Sequence, residues 1–81
     1  MSKEDAVTLW SKACRELEEV LGQDVFSRWI AVIEAVDRTE DTLTLAVDND
    51  FYQSWLEENY LPRINEAVAS VSGIQHNIKF A

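Results

Sequence analysis

The sequence predicts a small α+β domain in which two helical regions cover one face of a three-stranded sheet. Residues 5–21 and 49–71 carry apolar side chains at helical spacing. Residues 42–47 and 74–80 alternate between two sets of side chains, as strands with one buried face do. With 81 residues, of which 47% are hydrophobic, and with no linker or repeat, residues 1–81 are expected to form a single domain.

The first helix is predicted over residues 5–21. Its apolar residues fall in one arc of the helical wheel, and most of its charged residues fall in the opposite arc. Ser2 and Asp5 form a predicted capping pair. Gly22 is predicted to end the helix, because glycine accepts the left-handed backbone conformation found just past a helix end.

A second, shorter helix is predicted directly after Gly22, so that the two form a tight helical hairpin or corner. Asp24 stands where a capping side chain would satisfy the first amides of this helix. Its apolar residues repeat at intervals of three and four and predict one buried face, formed by Val25, Phe26, Trp29 and Ile30.

Two strands are predicted at residues 32–37 and 42–47, joined by the polar connection "RTED" as a hairpin. Next comes a long helix that Asp48 or Asn49 would cap. Because proline clashes with a preceding helical turn but suits a first turn, this helix is predicted to kink or restart at Pro62. Gly73 is predicted to end the helix, and residues 74–80 follow as the third strand.

The charge of the chain argues against an independent nucleic-acid-binding protein. The formal net charge is −8, and no two of the 7 Lys and Arg residues are adjacent. Phosphate recognition needs a basic patch, whereas an acidic surface favours solubility and partners with basic surfaces. The lone Cys14 predicts a reducing compartment, and no segment is apolar enough to cross a membrane. A cytoplasmic protein is expected.

The sequence contains none of the common catalytic or cofactor motifs. The 2 glycines, Gly22 and Gly73, do not form a phosphate-binding loop, and one cysteine with one histidine cannot make a zinc site. His76 shares an alternating face with isoleucines and is predicted to be a packed strand residue. We therefore expect no enzyme activity, no metal and no cofactor in this domain.

The aromatic residues of "DNDFYQSWLEENY", residues 48–60, raise the question of which are core. The helical wheel places Tyr52, Trp55 and Leu56 in the buried stripe and Phe51 at its margin. There, Phe51 either folds under a neighbouring loop or contacts a partner. Stacking on bases is the weakest option, because the acidic residues around Phe51 would repel phosphates.

Trp10 raises the same question. It lies near the middle of the apolar arc of the first helix, which favours a core position. That arc spans about 160°, wider than one packed layer needs, so part of it is free to remain exposed as an association surface. The wheel leaves both interpretations of Trp10 open, whereas Trp29 is predicted to be core.

Several stretches together resemble one family, the N-terminal domain of the bacterial replication initiator DnaA. They are "LWSKACRELEEVLGQDVFSRWI", "TLTLAVDNDFYQSWLEENYLPRI" and the closing "IKF". The resemblance covers nearly the whole chain, and it rests on the order and spacing of these stretches. It implies a compact α+β fold similar in topology to a KH domain. The chain stops soon after the last strand, so an excised domain is expected, with a stand-alone paralogue as the alternative.

The resemblance also implies a function. Domains of this family self-associate, recruit the replicative helicase DnaB and receive regulatory proteins, and some bind single-stranded DNA weakly. Nucleotide and duplex-DNA binding belong to later domains of the family's proteins. This chain contains neither of those domains, and it also lacks the Gly-x-x-Gly clamp with which KH domains hold RNA.

Four residues carry the implied roles. Trp10 matches the tryptophan that the family uses for self-association, and Phe51 matches the aromatic residue implicated in helicase contact. Val25 stands where some members have a helicase-contacting glutamate, and Asp24 is placed to supply that charge instead. The expected function is therefore a protein-interaction module of a replication initiator. The alternatives are a weak single-stranded nucleic-acid-binding domain and a purely structural dimerisation domain.

Overall fold

The computed structural model describes residues 3–81, and the side chains from Glu4 onward. Helix α1 (Lys3–Leu21) is followed by a short helix α2 (Gln23–Val25) that continues into a five-residue π-helical segment (Phe26–Ile30). The predicted cap by Ser2 lies outside the described residues. Gly22 has a φ of 89°, which confirms that the chain turns here through a conformation that favours glycine.

Asp24 does not cap the second helix, contrary to prediction. Helix α2 begins at Gln23, so Gly22 occupies the capping position and makes no side-chain hydrogen bond. Asp24 lies instead in the first turn, where its carboxylate interacts favourably with the positive end of the helix dipole.

Three strands form one sheet, in the order β1 (Glu34–Arg38), β2 (Thr42–Ala46) and β3 (Asn77–Phe80). Strands β1 and β2 are antiparallel with an irregularity between Ala35 and Asp37, while β2 and β3 are parallel. Strand β3 begins three residues later than predicted. Pairing starts only where the Asn77 amide donates to the Asp41 carbonyl, at 2.7 Å. The α+β class and the three-stranded sheet are confirmed.

The long helical region is two helices, α3 (Asp50–Asn59) and α4 (Leu61–Ser72). Asn49 caps α3, because its side-chain oxygen accepts the Tyr52 amide at 2.8 Å. The restart predicted at Pro62 is confirmed, since this residue lies in the first turn of α4. Gly73 ends α4 in the left-handed conformation, with φ 77°.

The core lies between α1, α4 and one face of the sheet. Helix α1 packs against both α4 and β1. Alternation along β2 buries Leu43 and Leu45 completely, as the period-two pattern predicts. The buried hydrophobic residues form one cluster: Ala6, Leu9, Trp10, Ala13, Leu17, Ile30, Ile33, Ala35, Leu43, Leu45, Leu56, Ile64, Ala67 and Val68.

Candidate functional site

Phe51 is the most exposed of the large hydrophobic side chains in the described chain, with 81% of its surface accessible. It lies in the first turn of α3, directly after the Asn49 cap. The cap fixes the backbone of this turn, so the ring projects from an ordered helix rather than from a loop. Of the two predicted positions for Phe51, the structure shows the exposed one.

Trp55 lies one helical turn after Phe51, on the same side of α3. Its ring stacks on Trp29 of the π-helical segment, with centroids 5.2 Å apart and planes at 30°. Trp29 also contacts Tyr52, at 5.6 Å and 31°. Trp29, Phe51 and Trp55, backed by Tyr52, are called the aromatic surface below.

The prediction that Trp55 belongs to the core is wrong, because 37% of its surface is exposed. The buried side of α3 is centred on Leu56, which is fully enclosed. Trp29, predicted as core, is only half-buried and packs beside Trp55 at the rim. A spacing of four residues places Phe51 and Trp55 together, and this signal in the sequence could have revealed the wider surface.

Tyr52 connects α3 to the π-helical segment. Its hydroxyl donates a hydrogen bond to the Trp29 carbonyl, while its own amide is held by Asn49. Burial raises the pKa of the Tyr52 hydroxyl above its usual value of 10.0, and the negative charge of Asp48 and the nearby Tyr60 raise it further. The hydroxyl therefore stays a donor throughout the neutral range.

The helix that carries the aromatic surface is rich in acidic side chains. Asp48 and Asp50 are exposed beside Phe51, and Glu57 and Glu58 are exposed further along α3. This distribution disfavours phosphate groups near the rings and favours a partner that brings basic side chains.

Asp24 and Val25 lie on α2, about one turn before Trp29. The Asp24 side chain is exposed and the Val25 side chain is half-buried. The ring contacts of Trp29 with Tyr52 and Trp55 link the segment that carries Asp24 and Val25 to the helix that carries Phe51.

Trp10 occupies a different environment. Only 6% of its surface is exposed, and its indole N–H donates to the Ile33 carbonyl at 3.3 Å. The ring is thus part of the core between α1 and β1. Val7, one turn earlier on α1, is 45% exposed and lines a shallow cleft beside the Trp10 ring.

The remaining chemically notable residues have structural surroundings. His76 is buried just before β3, where its Nε2 accepts from Arg38 Nε at 3.3 Å and its Nδ1 lies 3.2 Å from the Ile74 carbonyl. Because the guanidinium only donates, the ring proton belongs on Nδ1. Burial, followed by the charge of Glu18, raises the pKa of the Cys14 thiol to about 12, which makes it a poor nucleophile.

Two further features of the described chain bear on its class. Across residues 3–81, no cluster of three or more His, Cys, Asp or Glu side chains is arranged to hold a metal ion. Within the same range, no helix has the length and apolar character needed to cross a membrane.

The three-stranded sheet and its covering helices place the chain among small α+β domains, here with an exposed aromatic surface on α3. The family model described as DnaA N-terminal domain matches residues 7–70. The chain belongs to the DnaA N-terminal domain family.

Similar proteins carry the name chromosomal replication initiator protein DnaA. The relative from Xanthobacter autotrophicus is 36% identical over 94% of this chain, and the relative from Citrifermentans bemidjiense is 35% identical over 89%. A relative from Methylacidiphilum infernorum is 32% identical over 98% of the chain. The matched region covers only 15–17% of the length of these relatives.

Proposed function

We propose that this domain is a non-catalytic protein-interaction module of a DNA replication initiator, and that it recruits the replicative helicase DnaB through the aromatic surface. The observation that carries the proposal is the 81% exposure of Phe51 on a capped helix. An ordered backbone holds this large apolar side chain in water. Covering it with a partner removes apolar surface from water, which favours binding. Aromatic residues of this kind supply much of the binding energy at protein interfaces.

The rigid backing of the surface supports the same proposal. Trp55 and Trp29 are stacked before any partner arrives, so binding orders few side chains and costs little entropy. Asp24 and Val25, on the segment that carries Trp29, form a second part of the interface in this proposal. Asp24 would then pair with a basic side chain of the helicase or of a regulatory protein.

Self-association is the second part of the proposed function. Since the Trp10 ring is buried, its contribution would be to hold the exposed face of α1 in place, and Val7 would make the contact with a second copy. Two copies of a chain with net charge −8 repel each other, so the affinity of the isolated domain should be weak. Many copies bound along one DNA would compensate through multivalency.

The most informative experiment for the helicase role is to map backbone amide shifts during titration with DnaB. We expect the largest shifts in the first turn of α3 and in the π-helical segment, around Phe51 and Trp29. A parallel titration with single-stranded DNA at low salt tests the nucleic-acid alternative. Shifts on DnaB addition that avoid α3, or stronger and salt-sensitive shifts on DNA addition, would contradict the proposal.

Sedimentation tests the self-association role. We expect wild-type self-association to strengthen as salt rises, because salt screens the repulsion between acidic copies. Val7→Ser should weaken it while leaving the fold intact, since Val7 is 45% exposed. Self-association without any DnaB contact would identify the domain as a purely structural dimerisation domain.

A further inference from the structure

One residue before the end of the π-helical segment, the Trp29 carbonyl accepts no backbone amide from residues 3–81. The Ala31 amide donates to the Phe26 carbonyl at 2.9 Å, which is the five-residue spacing of a π turn. The Ile33 amide donates to the Ile30 carbonyl at 3.0 Å, so it is not used by Trp29. The last carbonyls of any helix need a partner from elsewhere, and Trp29 is at that position here.

The Tyr52 hydroxyl supplies that partner. It donates to the Trp29 carbonyl across 23 positions of sequence, and the two rings are also in contact. At its other end, the Tyr52 amide is held by the Asn49 side chain at 2.8 Å. Tyr52 therefore connects the capped start of α3, through its amide, to the π-helical segment, through its hydroxyl.

We propose that Tyr52 is the positioning residue of the aromatic surface: its hydroxyl holds the π turn, and thereby holds Trp29 against Trp55. The consequence for binding rests on the function proposed above, whereas the consequence for local structure does not. Tyr52 need not touch the partner, because its hydroxyl points inward to a backbone carbonyl.

Loss of the hydroxyl has a defined local effect. A half-buried carbonyl without its donor is costly, so the backbone tends to rearrange until water or another amide reaches it. The available rearrangement is a change of this turn from five-residue to four-residue hydrogen bonding. Such a change rotates the residues of the turn relative to α3, and the Trp29 ring then leaves its stacked position on Trp55.

The test compares Tyr52→Phe with Tyr60→Phe. Tyr60 is also half-buried, and no hydrogen bond of its hydroxyl is present among residues 3–81. The second variant therefore removes a hydroxyl that interacts with Tyr52 only through its charge, without removing a described hydrogen bond. We expect Tyr52→Phe to reduce the near-UV circular dichroism of the stacked tryptophans. It should also accelerate exchange of the Ala31 and Ile33 amides about tenfold, as the loss of one hydrogen bond of about 1.4 kcal/mol would. Tyr60→Phe should leave both unchanged.

The Ile64 amide, which donates to the Tyr60 carbonyl at 2.9 Å, reports general loosening. Acceleration confined to Ala31 and Ile33 supports the proposal. Acceleration of equal size at Ile64, or no difference between the two variants, overturns it.

Binding to DnaB completes the test. We expect Tyr52→Phe to weaken affinity about fivefold to tenfold and Tyr60→Phe to have no effect. If wild-type protein does not bind DnaB, the proposed function fails, and amide exchange and circular dichroism still decide the role of Tyr52. If DnaB binds wild type and Tyr52→Phe equally, Tyr52 does not position the binding surface.

Discussion

Trp10 and Phe51 are both large aromatic residues on amphipathic helices, yet one is 6% exposed and the other 81%. The difference comes from what packs beside each helix. Helix α1 packs against both α4 and β1, whereas α3 packs against α4 and, through Tyr52 and Trp55, against Trp29, which leaves the Phe51 ring uncovered. The two residues thus divide the molecule into a region that sustains the fold and a region that exposes apolar surface.

The largest effect is expected at Trp10. Trp10→Ala removes a buried ring and its hydrogen bond to the Ile33 carbonyl, so the free energy of unfolding should fall by about 3–5 kcal/mol. For a domain of this size, such a loss unfolds much of the population at 37 °C. Urea denaturation followed by far-UV circular dichroism measures it. A loss below about 1 kcal/mol would mean that the ring is not core.

A smaller effect is expected at the cap of α3. Asn49→Ala removes the acceptor for the Tyr52 amide and should lower the free energy of unfolding by about 1 kcal/mol. Because the cap orders the turn that carries Phe51, DnaB affinity should fall as well. Asn49→Asp keeps the acceptor and serves as the control. If both variants lose DnaB affinity equally, the hydrogen bond of the cap is not what holds the aromatic surface in its binding geometry.

Alkaline pH should slightly lower the free energy of unfolding through Tyr52. The pKa of the Tyr52 hydroxyl is raised in the folded protein, so the folded chain holds this proton more tightly than the unfolded chain does. The corresponding stability is present below the unfolded-state value of 10.0 and is lost as pH rises above it. Tyr52→Phe should flatten this decline in a series of urea denaturations. An unchanged slope would show that other groups cause it.

Much of the fold follows from local signals in the sequence. Gly73 and Pro62 mark the end and the restart of helices through their own backbone preferences, and Asn49 marks a cap. Leu43 and Leu45 identify the buried face of β2 by alternation alone. Each of these signals depends on residues within one turn or one strand, where chemistry determines geometry directly.

The rest depends on contacts between distant residues. The wheel of α3 predicts a stripe that includes Trp55, but Trp55 is 37% exposed, and it packs on Trp29, which lies 26 positions earlier in the sequence. The π turn could not be predicted, since the Tyr52 hydroxyl that pairs the Trp29 carbonyl comes from another helix. The contact between Arg38 and His76 spans 38 positions and has no local signal either.

The sequence therefore located Phe51 at a margin correctly, and the four-residue spacing could have placed Trp55 beside it. It could not show that Trp29 packs on Trp55. The roles of Trp10, Asp24, Val25 and Phe51 in binding stay predictions. A substitution at a core residue should lower the free energy of unfolding, whereas one at a binding residue should lower the affinity for the partner.

The most direct measurement is the paired determination of unfolding free energy and DnaB affinity for Phe51→Ala. Ile74→Ala, which trims another exposed apolar residue outside α3, is the matched control. We expect Phe51→Ala to change the unfolding free energy by no more than about 0.5 kcal/mol and to weaken binding at least tenfold, with Ile74→Ala changing neither. Unaltered affinity for DnaB in a stably folded Phe51→Ala protein would contradict the account.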